Sequence, residues 1–326
     1  MAIKKRFMMG ATVATAMLIG GSAHAQNYPT RAITVIIPFA GGSASDVVSR
    51  IMLDKMSKSM GQPIVIENKP GAGGNSGTQQ AARAAPDGYT LVGAGSGPIA
   101  ANLALYKNLG YDPLKELTIV SPFASFTIVV TVSSKLGINS LKELIERAKK
   151  EPGALNYGSV GIGSSQHLAG EYFAQVTGVK LTHVPYRNIA QFGPDLISGQ
   201  VQLGFQWYPN VAGPIGAKGA TALAVAGDVR LAALPDTPTS TQAGLPQYKV
   251  DGWFALAAPA ATPRPILERI NKELRDALND PAVKAGFEKA GAVPIGLGLD
   301  QAKKFHADEI VKYRDIITKA GIAQIE

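Results

Sequence analysis

The sequence predicts an α/β protein built of two lobes. Apolar strand segments alternate with helical segments along most of the chain, beginning with Ile33–Ile37. The alternation starts again near residue 140, after a long β-rich segment at 119–132, and each half carries glycine and serine loops after its strands. Parallel strands joined by helices form sheets covered on both faces, with ligand sites at the carboxyl ends of the strands. We therefore expect two such lobes that close on a small ligand.

The stretch 33–46 has the pattern of a strand, a small-residue loop and a helix start. Pro38 ends the strand, residues 40–45 carry no bulky side chain, and Asp46 or Ser45 is expected to cap a helix at 47–60. Such a loop exposes backbone N–H groups, and the helix N-terminus adds partial positive charge. Together they favour a carboxylate or a phosphate. An ordinary tight turn is the alternative that this stretch alone leaves open.

The remaining segments repeat this alternation of strands and helices. We expect strands at 63–68, 89–94, 155–160, 179–184, 201–205, 220–226 and 250–258, and helices at 78–85, 140–150, 166–177, 189–198, 265–279, 281–290 and 299–320. Residues 228–248, rich in proline and threonine, are expected to form an extended connection. If the chain crosses between the lobes near residues 124 and 250, one lobe comprises 26–124 with 251–326 and the other 125–250.

The N-terminus predicts export. Lys4, Lys5 and Arg6 precede an apolar run at 7–19, and a small-residue cleavage pattern ends at Ala25. Residues 1–25 are therefore expected to be a signal peptide that is removed before Gln26, which places the mature protein in the periplasm. Without those three basic residues the net charge of +8 becomes +5, and the remaining basic residues are scattered. This charge pattern argues against nucleic-acid binding.

The sequence lacks the usual patterns of nucleotide-binding and metal-binding sites. The glycine-rich segments contain neither the Gly-Lys-Ser/Thr of a phosphate loop nor the dinucleotide spacing. The mature chain has three histidines, His167, His183 and His306, with no pair at i, i+4 and no cysteine. We therefore expect neither a cofactor nor a metal.

Two further groups of residues have alternative interpretations. Ser164, Ser165 and His167 suggest the nucleophile and base of a hydrolase, but proximity in sequence does not place a base beside its nucleophile, and a capping serine with a half-exposed histidine is the simpler interpretation. Phe205 and Trp207 follow a strand, where they could stack on a ligand ring or pack between the lobes.

Long motifs occur in order along the whole mature chain. They lie at 28–33, 38–46, 61–74, 86–90, 156–167, 183–186, 234–239 and 252–259, and those at 61–74 and 156–167 are the longest. Together they resemble the Bug family, the TctC-like extracytoplasmic solute receptors of tripartite tricarboxylate transporters. The resemblance implies a Venus-flytrap fold, in which each lobe is a mostly parallel sheet flanked by helices.

The resemblance also implies a function and a site. It implies a monomeric periplasmic solute-binding protein without catalytic activity, which passes a small carboxylate to membrane permease subunits. The carboxylate would lie between residues 39–46 and 161–167, with Ser96 nearby. With the two aromatic residues added, the expected ligand-binding residues are Phe39, Ala40, Gly42, Ser43, Ala44, Ser45, Asp46, Ser96, Gly161, Gly163, Ser164, Ser165, His167, Phe205 and Trp207.

The ligand is the least transferable part of the resemblance. Gly41 stands where the family commonly has proline, Ser43 where it has glycine, and the stretch 206–210 is atypical. The aromatic residues after 204 suggest an aromatic dicarboxylate such as terephthalate, and aliphatic di- or tricarboxylates are the alternative. A ligand-sensing receptor for a signalling kinase and a secreted hydrolase using Ser164 or Ser165 are kept as further alternatives.

Overall fold

Two β-sheets form the framework of the molecule. The computed structural model describes residues 28–319 and 321–326, so the expected signal peptide lies outside the described residues. The strands are β1 (Ile33–Ile37), β2 (Ile64–Asn68), β3 (Thr90–Gly95), β4 (Leu117–Thr127), β5 (Val129–Ser133), β6 (Asn156–Ser159), β7 (Thr182–Pro185), β8 (Leu203–Gln206), β9 (Ala220–Val225), β10 (Asp251–Pro259) and β11 (Ala292–Pro294).

Helices cover both sheets. They are α1 (Ala44–Met60), α2 (Asn75–Ala82), α3 (Asn102–Leu105), α4 (Pro113–Glu116), α5 (Leu141–Lys150), α6 (Ser165–Thr177), α7 (Phe192–Ser198), α8 (Tyr208–Gly216), α9 (Arg264–Asn279), α10 (Pro281–Lys289) and α11 (Leu299–Lys319). In β1, Val35 and Ile37 pack on one side of the sheet and Ile36 on the other, and all three are buried. Burial on both faces explains why this strand is a continuous apolar run.

The sheets combine parallel and antiparallel pairs. The first has the order β11-β4-β10-β3-β1-β2 and the second β7-β6-β8-β5-β9. In the first, β1, β2, β3 and β4 run in one direction, while β10 and β11 run against them. In the second, only β5 opposes the others. The predicted two-lobed α/β fold is therefore confirmed, whereas the exact lobe limits expected at 124 and 250 stay a prediction.

The start of α1 corrects one prediction. Ser43, rather than Ser45 or Asp46, is the N-cap residue: its backbone is extended, and its side chain accepts a hydrogen bond from Asp46 N. Ser45 and Asp46 lie inside the first turn, and the Asp46 carboxylate accepts from Gly42 N instead. The sequence pattern did not predict α8, whose first turn contains Pro209.

Three chain segments meet where the two sheets join. Ile128, between β4 and β5, accepts a hydrogen bond from Ala226 N at 2.8 Å and donates one to Val250 O at 3.1 Å. Val250 N in turn donates to Ala226 O at 2.9 Å. The segments that leave and re-enter the first sheet are thus hydrogen-bonded side by side. This arrangement suits a hinge, since its backbone groups are satisfied within the junction.

An aromatic cluster fills the same junction. Phe254 of β10 is fully buried, and its ring lies 4.7 Å from that of Trp207, 5.7 Å from Phe126 and 6.1 Å from Phe123. Phe39, which precedes the α1 loop, meets the same ring at 6.4 Å. Phe254 therefore joins residues from both sheets and from the first predicted site loop.

We predict that Phe254→Ala lowers the free energy of unfolding by about 3–5 kcal/mol, because it leaves a cavity among these rings. Urea unfolding followed by circular dichroism measures the change. Val229→Ala is the control, since Val229 is 78% exposed and its loss should change the free energy by no more than about 0.5 kcal/mol. Equal effects of the two variants would contradict the central role given to Phe254.

Candidate ligand-binding cleft

The loop between β1 and α1 is fixed by one buried carboxylate. Asp46 accepts hydrogen bonds from Gly42 N, Arg50 Nε and Asn68 Nδ2, each at 2.9 Å. Burial by itself would raise the pKa of Asp46, but these hydrogen bonds outweigh it and hold the pKa below its usual range. Asp46 is therefore a carboxylate that shapes the loop, and its own acceptors are already used within the first lobe.

The loop between β6 and α6 has a similar construction in the second lobe. Gly161 and Gly163 have φ values of +124° and +81°, which favour glycine. Ser164 caps α6: its Oγ donates to Gly161 O at 2.7 Å and accepts from His167 N at 3.3 Å. Ser164 thus caps the positive end of α6, as Ser43 caps that of α1.

The two lobes touch through these loops. Ser96 Oγ, in the turn after β3, lies 2.9 Å from Ser165 Oγ and accepts a hydrogen bond from Tyr313 at 3.0 Å. Ala44 N, in the first turn of α1, donates to Asn210 Oδ1 at 3.1 Å. The structure therefore places Ser96, Ser165 and the first turn of α1 at contacts between the lobes, whereas their common role in ligand binding stays a prediction.

Asn210 is a cleft residue that the sequence analysis did not single out. Its Nδ2 donates to Gln206 Oε1 at 2.9 Å, and Gln206 Nε2 donates to Gly158 O at 2.8 Å. The signal available in the sequence was a pair of amide side chains, Gln206 and Asn210, four residues apart at the end of a predicted strand. That spacing is common, so only the structure shows that Asn210 reaches α1.

The two predicted aromatic residues have different surroundings. Phe205 is fully buried against Tyr157, Phe173 and Tyr248 of the second lobe, so the structure gives it a core position rather than a ligand-stacking one. Trp207 stacks on Phe126 at 5.4 Å. Its buried indole N–H has no hydrogen-bond partner among the described residues. Both rings are thus used in packing, Trp207 at the junction of the lobes and Phe205 within the second lobe.

A pair of buried histidines supports the 161–165 loop. The rings of His167 and His183 are 4.4 Å apart, His167 Nδ1 accepts from Gly163 N at 3.3 Å, and His183 Nε2 lies 2.7 Å from Ser159 Oγ. Burial, reinforced by the neighbouring His167, lowers the pKa of His183 to about 3. Burial also lowers the pKa of His167, although Glu171 partly offsets this. Both rings are therefore neutral at pH 7.

This geometry does not form a hydrolytic site. The hydroxyl of Ser164 is used by the α6 cap, and that of Ser165 faces Ser96. The His167 ring contacts a backbone N–H through Nδ1 rather than either serine. A nucleophile needs a base within hydrogen-bond reach, and neither serine has one here.

The fold and these loops match a known family of receptors. Residues 48–322 match the model of the tripartite tricarboxylate transporter family receptor. The chain belongs to this family. The protein BugT of Bordetella pertussis is 34% identical to it over 315 residues, which cover 96% of each chain. The resemblance to the Bug family noted in the sequence is therefore confirmed, and the chain is a solute-binding receptor rather than an enzyme.

Solved structures of relatives extend this comparison. An R. palustris protein solved with adipate is 32% identical, has a TM-score of 0.87, and covers 91% of this chain and 100% of its own. MatC of Rhodopseudomonas palustris, solved with bound malate, is 30% identical with a TM-score of 0.82, and covers 89% of this receptor and 100% of its own chain. Among the described residues of the receptor, no helix has the length and apolar character needed to cross a membrane.

We predict that the receptor loses stability as the pH falls from 7 to 5. The unfolded histidines take up protons near pH 6.5, whereas the folded His183 stays neutral until about pH 3. The unfolded state thus binds more protons in this range, so the free energy of unfolding falls as the pH falls. His183→Gln should flatten the dependence in urea titrations at pH 7 and 5, and an unchanged slope would contradict the assignment.

We also predict that Gly97→Ala prevents full closure of the lobes. A Cβ atom at Gly97 would lie 2.4 Å from Gly163 O in the opposite lobe, which is closer than van der Waals contact allows. Small-angle X-ray scattering should show a larger radius of gyration, and carboxylate affinity should fall about tenfold or more, the equivalent of 1.4 kcal/mol. Gly216→Ala is the control, because a Cβ there meets nothing within 4 Å.

Proposed function

We propose that the receptor captures a small carboxylate between its lobes and delivers it to the permease subunits of a tripartite tricarboxylate transporter. The observation that carries the proposal is that two hydroxyl-capped helix N-termini, those of α1 and α6, each lie at a contact between the lobes. Exposed N–H groups and helix dipoles at such ends stabilise an anion without a charged side chain. The family and the adipate- and malate-bound relatives support the same ligand class.

The ligand candidates are those of the sequence analysis. An aromatic dicarboxylate such as terephthalate is a candidate because the cavity beside the α1 loop, with a volume of about 370 Å³, has room for a ring. Aliphatic di- and tricarboxylates are supported by the relatives solved with adipate and malate. All of these candidates share a carboxylate that the helix N-termini can hold.

The site of action follows from the same proposal. Residues 1–25 would direct the chain to the periplasm, and the mature receptor would begin at Gln26 and act there as a monomer. Closure of the lobes would bury the ligand and produce the surface that the permease recognises.

We expect a carboxylate to raise the melting temperature of the mature receptor after it has been unfolded and refolded to remove any bound solute. A ligand at about one hundred times its Kd should add about 2.7 kcal/mol to the free energy of unfolding. A thermal-shift panel of aliphatic and aromatic carboxylates, amino acids and sugars measures this. If only sugars or amines shift the transition, the carboxylate class is wrong.

Ser165→Leu tests the position of the site. The larger side chain cannot fit where Ser165 Oγ lies 2.9 Å from Ser96 Oγ, so the shift caused by carboxylates should disappear while each lobe stays folded. Ser134→Leu is the control, since Ser134 is exposed on the second lobe away from the cleft. Full retention of the shift in Ser165→Leu would place the ligand elsewhere.

A further inference from the structure

An apolar cavity adjoins the N-terminus of α1 and extends into the second lobe. Its volume is about 370 Å³. One wall is Gly41 and Gly42, which precede the Ser43 cap, and the opposite wall comes from the turn at 189–191, α7 and α8. A ligand whose carboxylate lies at the α1 N-terminus would therefore place its other end in this cavity. A benzene ring fits a cavity of about 150 Å³, so a ring or a short alkyl chain has ample room here.

The walls of this cavity carry no charged side chain among the described residues. On the second-lobe side they are formed by Ile189, Pro194, Ile197, Pro209 and Pro214, together with small residues. The cavity offers apolar surface to a ligand, which favours burial of CH₂ groups or a ring face.

The single polar side chain of the lining is already engaged. Asn210 Oδ1 accepts from Ala44 N, and Asn210 Nδ2 donates to Gln206 Oε1. A second carboxylate placed here would lie against apolar walls without meeting a cation, which disfavours it relative to an uncharged group of the same size. The charged residue nearest in sequence to the Ile189 turn is Arg187, whose side chain is exposed and absent from the lining.

We infer that this receptor selects monocarboxylates with a compact apolar body over dicarboxylates of the same size. The inference rests on the proposed function, because the carboxylate end is assigned to the α1 and α6 N-termini. The inference narrows the proposed function because it assigns the uncharged end of the ligand to the cavity between Gly41–Gly42 and α7–α8. Two matched pairs of acids follow, benzoate with terephthalate and hexanoate with adipate. In each pair we expect the dicarboxylate to bind more weakly.

Isothermal titration calorimetry on the refolded mature receptor tests the inference with these four acids. We expect each monocarboxylate to bind about tenfold more tightly than its dicarboxylate partner. Within the series from butanoate to hexanoate, each added CH₂ should tighten binding about fourfold, the equivalent of 0.8 kcal/mol. Equal or tighter binding of adipate and terephthalate overturns the inference, and loss of that binding in Arg187→Gln would identify Arg187 as the second anion site.

A pair of glycines on α8 gives matched variants. Gly213 lines the cavity and Gly216 does not, and a Cβ at either position meets nothing within 4 Å. Gly213→Leu should fill the cavity and weaken hexanoate and benzoate more than about tenfold, whereas Gly216→Leu should bind like wild type. Unchanged binding in Gly213→Leu overturns the cavity assignment. If none of the carboxylates binds the wild-type receptor, the proposed function itself fails, which is a distinct result.

Discussion

The lobes of this receptor approach closely because several of their contact positions are glycines. A Cβ at Gly73 would lie 2.0 Å from Ile162 O, and one at Gly97 would lie 2.4 Å from Gly163 O. Backbone therefore approaches backbone, and the N–H groups of the loops come to the cleft without intervening side chains. An anion site made of N–H groups needs such access, since a Cβ would keep the ligand at a distance.

Each binding loop is rigid because a polar network inside its own lobe holds it. In the first lobe Asp46 joins Gly42, Arg50 and Asn68. In the second, Ser164 and the neutral histidine pair hold the turn at 161–165. These networks preorganise the loops in the absence of a ligand, and preorganisation lowers the entropic cost of binding.

The junction of the lobes combines aromatic packing with a hydrogen bond between the lobes. Phe126, Trp207 and Phe254 fill its interior, and the Asn210 amide joins α8 to the first turn of α1. Asn210 Oδ1 accepts a hydrogen bond from Ala44 N, which is also one of the N–H groups of the proposed anion site. Lobe contact and ligand contact therefore depend on one helix end, which links closure to binding in a receptor of this fold.

The sequence alone determined most of the strands and helices, the two-lobed α/β class, the family and the two loops that precede α1 and α6. These features depend on local patterns: apolar runs such as Ile33–Ile37, glycine positions in turns, and serines before helices. The sequence could not assign the cap to Ser43, place Phe205 in the core or bring Asn210 to Ala44. The partners of Phe205 and of Asn210 lie far apart from them in the chain, and the cap is a choice among neighbouring residues that could each make it. Only the tertiary structure decides them, because packing and hydrogen-bond partners are set by three-dimensional proximity rather than by local propensity.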